Sequence, residues 1–123
     1  NRDTNMNDLF LATRGTPTGA WGGIAQIPML NTQNFAEAHP ALSPDKLTIY
    51  FQTSRDGNLD LYMSHRTGPG AMFDAPHPIT ELRDPSNPTA NEGDPWVSPD
   101  GHHIFFSSNR SGMNQIYEAS RSN

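Results

Sequence analysis

At 123 residues with 33% hydrophobic side chains, the chain has room for one compact domain and little apolar material to spare for its core. A net charge of −5 with no basic cluster argues against nucleic acid or an anionic membrane as the main partner, and the absence of cysteine excludes disulfide and thiol chemistry. No apolar run approaches the roughly 20 residues of a membrane span, so membrane insertion is not expected. No signal peptide opens the sequence, and a first residue of Asn1 suggests a mature, trimmed or excised form. Eleven Pro and ten Gly, spread between short apolar runs, describe many turns between many strands and make an all-β fold the expectation.

In chain order, Asp8 to Leu11 and then Ile24-Ala25-Gln26-Ile27 read as two short strands, the second polar. Pro40-Ala41-Leu42-Ser43 is a short strand entering a Ser-Pro-Asp turn, where proline presets φ and the Asp side chain hydrogen-bonds the backbone ahead. Leu47-Thr48-Ile49-Tyr50-Phe51 follows at once with large side chains on both faces, which marks a strand covered on both sides by other sheets. Asp56-Gly57 closes a hairpin on a glycine that supplies positive φ, and the neighbouring Asn58 is expected to be exposed. Leu59 to Ser64 form the next strand, and after a Pro/Gly-rich connection Pro78-Ile79-Thr80-Glu81-Leu82 reads as a polar edge strand. The same succession then returns: Pro95 to Ser98, a second Ser-Pro-Asp turn, His103-Ile104-Phe105-Phe106, Ser111-Gly112, and Gln115 to Ser120.

That return is an internal repeat. His39 to Arg66 recurs as Asp94 to Arg121 at a constant offset of 55 residues, with ten of 28 aligned pairs identical, where chance composition gives about two. A fainter copy reaches backwards at an offset of 52, matching Asp8-Leu9-Phe10 to Asp60-Leu61-Tyr62 and Trp21, Ile27 and Leu30 to Phe73, Ile79 and Leu82. Asn1-Arg2 likewise answers Asn109-Arg110.

Four antiparallel strands per unit, apolar inside and polar at the edge, make the blade of a β-propeller. The shared residues, Pro-x-x-Ser-Pro-Asp, Ile-x-Phe, Arg-x-Gly and Tyr, resemble the TolB-like β-propeller repeat, a distant relative of the WD repeats. The connection from Thr67 to Ala75, with Glu37 and Glu92 before the inner strands, looks like bacterial envelope versions of that family. The resemblance implies a periplasmic or extracellular setting. Lys46 departs from the pattern where the second copy has the usual turn glycine, Gly101. On this reading residues 1–35 hold the third and fourth strands of one blade, 36–90 a full blade, and 91–123 the first three strands of the next. About two blades cannot close a ring of the usual four to eight. Either several copies assemble, or the chain is an excised part of a longer propeller; the homo-oligomer is favoured because open edges and half-covered faces would expose apolar surface. Its N-terminal strands would then lie beside Pro95 to Ser98 and Ile104 to Ser107 of a neighbour, although the duplicated third strand leaves one copy per junction without an obvious place.

No Gly-x-Ser-x-Gly elbow, His-Glu-x-x-His helix or Walker loop is present, and no catalytic residue or cofactor is expected. Asp56 to Asp60 faintly resembles a calcium loop but reads better as a hairpin, because the second copy carries Ser111 and Gln115 where oxygen-rich ligands are required. The five histidines lack ligand spacing, so no metal residue is assigned. Arg55 and Arg110 occupy one repeat position and are expected to pair with carboxylates and carbonyls, locking blade to blade. Trp21, Phe73 and Trp96 are read as blade-packing aromatics. Glu37, His39, Glu92 and Asp94 are expected around one mouth of the central channel, where propellers receive ligands. The expected function is therefore a non-catalytic scaffold binding protein, peptide or small ligand. The alternatives are an accessory or gating propeller of a prolyl-oligopeptidase-type hydrolase and a metal-dependent lyase-type propeller.

Overall fold

Residues 7–122 are described by a computed structural model, and they form nine β-strands in three antiparallel sheets. Sheet I pairs β1 (Phe10–Thr13) with β2 (Gly22–Gln26). Sheet II runs in the order β3 (Glu37–Leu42), β4 (Thr48–Thr53), β5 (Asp60–His65) and β6 (His77–Pro78). Sheet III runs β7 (Glu92–Val97), β8 (His103–Ser108) and β9 (Gln115–Ser120). Among the described residues no helix is long and apolar enough to cross a membrane. Asn1 and Arg2 lie outside the described residues.

The repeat is carried into three dimensions at the level of register. Phe51 faces Tyr62 and Tyr50 faces Met63 in sheet II, as Phe106 faces Tyr117 and Phe105 faces Glu118 in sheet III. The turns repeat too. Ser43 donates to Asp45 at 2.6 Å and Ser98 to Asp100 at 2.5 Å, while each serine oxygen accepts the amide that opens the next strand, from Thr48 or His103. These hydroxyl bonds hold both aspartates below the ordinary carboxylate range. The turn demands a left-handed residue: Lys46 sits at φ 65° where Gly101 sits at φ 76°. Lysine tolerates that conformation at a cost of roughly 1 kcal/mol.

Large side chains on both faces of β4 follow from its place between two cores. Ile49 and Phe51 join Tyr62 and Phe73 against Leu9, Ile27 and Leu30 of the sheet I region. Tyr50 points the other way, joining Leu61, Ile79 and Leu82 against Phe106, with Val97, Ile104 and Tyr117 at the margin. The sheets therefore stack face to face.

Several boundaries differ from the sequence reading. The first strand of each unit begins three residues before its proline, at Glu37 and Glu92, because a β-bulge between Ala38 and Ala41, and between Gly93 and Trp96, accommodates a residue without an amide proton. The expected edge strand at Pro78 to Leu82 keeps only His77–Pro78 before a 3-10 turn over Thr80–Leu82, which swings Ile79 and Leu82 into the core. β1 starts at Phe10 because the Leu9 amide is taken by the Asn31 side chain at 2.7 Å. Asn58 is half-buried rather than exposed, donating to the Ala90 carbonyl at 2.9 Å.

Candidate functional site

The four residues expected around one mouth separate into two buried carboxylates and two exposed polar groups. Glu37 is fully buried, and Glu92 is 3% exposed. Glu37 accepts from the Thr53 hydroxyl at 2.9 Å and the Thr32 hydroxyl at 2.8 Å, and pairs with Arg55 at 3.3 Å. Arg55 also donates to the Leu30 carbonyl at 2.8 Å and lies over the ring of Tyr62. Sheet III repeats the device: Arg110 pairs with Glu92 at 3.7 Å, donates to the Leu82 carbonyl at 2.6 Å, and covers Tyr117. Each arginine thus ties its own sheet to the chain segment before it. Burial strengthens such bonds and makes either partner costly to orphan.

Glu92 has a neighbour that distinguishes it. Its carboxyl is pushed up to about 7 by burial, and by the hydrogen bond and repulsion of Asp60; Arg110 and Ser108 oppose the rise. Asp60, itself 3% exposed, pairs with Arg83 at 3.2 Å, and Arg83 reaches Asp56 at 2.9 Å. The two carboxyls therefore lie together between sheets II and III, where burial and repulsion favour the protonated form of Glu92. Neither Asp60 nor Arg83 carries a sequence signal for this role beyond the weak match of Asp60 to Asp8.

His39 and Asp94 stand in a different environment. They occupy the same repeat position, inside the two bulges, and both adopt positive φ, at 54° and 51°. For non-glycine residues such backbone costs on the order of 1 to 3 kcal/mol. The bulges turn both side chains outward, where they remain more than half exposed and meet at 2.9 Å between the histidine Nδ1 and the Asp94 carboxylate. Gln52 on β4 accepts the Asp94 amide at 3.0 Å, and Ser107 on β8 donates to the Asp94 carboxylate at 3.1 Å. Gln52 and Ser107 are themselves repeat equivalents. Their only signal in the sequence is a polar residue within an apolar strand.

An imidazole, a carboxylate, a carboxamide and a hydroxyl converge here across two sheets. They make an exposed array of hydrogen-bond donors and acceptors, suited to holding a polar or cationic group. Among the described residues no group of three or more histidine, aspartate or glutamate side chains is placed to hold a metal ion. Compared with models of known protein families, the chain matches none.

Proposed function

We propose that the chain is a β-propeller-type scaffold, of the kind the TolB-like repeat resembles, that binds a peptide segment bearing a cationic side chain at the inner rim formed by His39, Asp94, Gln52 and Ser107. The observation that carries the reading is the pair of repeat-equivalent bulges that hold His39 and Asp94 in strained backbone and aim them at each other from adjacent sheets. Strain kept in both copies at one position, outside the core, is where a scaffold places recognition groups. Glu37 and Glu92 serve the reading indirectly: they and their arginines fix the first strands from which the rim projects. The reading is non-catalytic, and its periplasmic or extracellular setting rests on the resemblance alone.

Titrating a tetralysine peptide into isotopically labelled protein, with amide shifts followed by NMR, tests it. The expected result is saturable shifts centred on Gln52, Asp94 and Ser107 that Asp94→Asn abolishes. Weak shifts spread evenly over the acidic surface, unchanged in the variant, would contradict it.

A further inference from the structure

The two outer faces of the stacked sheets repeat the two halves of the interface that the chain already makes within itself. Sheet II buries Leu61 to 2% and Tyr50 to 6% against sheet III, but on the far face of sheet III their equivalents meet no further sheet among the described residues: Ile116 is 73% exposed, and Phe105 is half-covered by Trp96 at 5.6 Å. At the other end, Tyr62 and Phe73 of sheet II are buried at 7% and 5% against the sheet I region, whereas their equivalents Phe10 and Trp21 are 57% and 60% exposed. Even the cation–ring contact is kept, Arg14 lying 4.1 Å over Trp21 as Arg66 lies 4.6 Å over Phe73. Among the described residues, each outer face is thus built like an internal one and is not covered.

We infer that the occupant of both faces is a second copy of this chain, docked head to tail, with the Trp96, Phe105 and Ile116 face of one copy on the Phe10 and Trp21 face of the next. A homotypic partner fits by complementarity: the face that covers Leu61 and Tyr50 and the face that covers Tyr62 and Phe73 are both present among the described residues of this chain. The contact is heterologous, so it propagates and closes into a ring only if the rotation per copy divides the circle. It also needs no rearrangement. β8 is already flanked by β7 and β9, so strand pairing of a neighbour's β1 with β8 would displace β9, while the faces meet with every strand in place. The inference rests on the stacked-sheet reading of the scaffold and not on the rim ligand.

Light scattering on the full chain and on Trp21→Asp and Ile116→Asp decides it. Both substitutions fall on exposed positions and should leave the fold intact, which circular dichroism checks. The unmodified chain should show a multiple of its 13.6 kDa mass. Each variant alone should fall to monomer, and an equimolar mixture should recover a dimer and nothing larger, because it contains one intact pair of faces. A monomeric unmodified chain, an oligomer indifferent to either substitution, or a mixture that stays monomeric would overturn the inference. Failure of Asp94→Asn to alter tetralysine binding would leave these masses unchanged, so the two readings fail separately.

Discussion

Glu92→Gln should change the way stability depends on pH. In the folded protein the Glu92 carboxyl titrates near 7, against 4.5 in an unfolded chain, because it is buried beside Asp60. A carboxyl raised on folding binds its proton more tightly in the native state, so its contribution to stability is present at low pH and lost as pH rises from about 4.5 through about 7. Integrating the two titrations between about pH 5 and about pH 8 gives a loss of roughly 2 to 3 kcal/mol. A glutamine at this position keeps a donor for Asp60 and an acceptor for Ser108 and Arg110, and has no proton to lose. Urea denaturation of both proteins at several pH values reads the effect directly. The two stabilities should lie close near pH 5 and diverge above it, with Glu92→Gln the more stable by roughly 2 to 3 kcal/mol near pH 8. Parallel curves would refute the buried carboxyl pair. Glu37→Gln offers a second comparison, since Glu37 is satisfied by Thr32, Thr53 and Arg55.

Phe51→Ala empties the centre of the core between sheets I and II and should cost about 3 to 5 kcal/mol, whereas Met113→Ala at an exposed turn should cost almost nothing; denaturation midpoints compare them. Arg55→Ala strands the fully buried Glu37 carboxylate and should cost about 3 to 5 kcal/mol, and Arg55→Lys should recover little because a single ammonium cannot reach Glu37, Thr53 and the Leu30 carbonyl together. Lys46→Gly relieves the left-handed turn residue and should raise the thermal midpoint, by up to about 1 kcal/mol in stability.

Much of the architecture is legible because the repeat aligns three strands at a time. The 55-residue offset relates β3, β4 and β5 to β7, β8 and β9 residue for residue, and the apolar residues on both faces of β4 correctly place it between two packed layers. What escapes is decided by packing at long range. Pro40 and Pro95 look like strand starts, yet bulges carry each strand three residues further back, and this draws Glu37 and Glu92 out of the solvent. Ile79 and Leu82 suit an edge strand by composition and leave it for a 3-10 turn because the core on one side takes both. The repeat position of Arg55 and Arg110 is enough to expect pairing with carboxylates, but not which carboxylates. Nor does any local pattern join Glu92 to Asp60, 32 positions earlier, or His39 to Asp94 across two sheets.

A crystal structure of the purified protein tests the central claim most directly. In a propeller-type scaffold sheets I, II and III should fan about a common axis, with β3 and β7 innermost and His39 and Asp94 facing the channel. Sheets stacked in a flat sandwich, or β3 and β7 on the outer wall with the rim turned away from the axis, would contradict it.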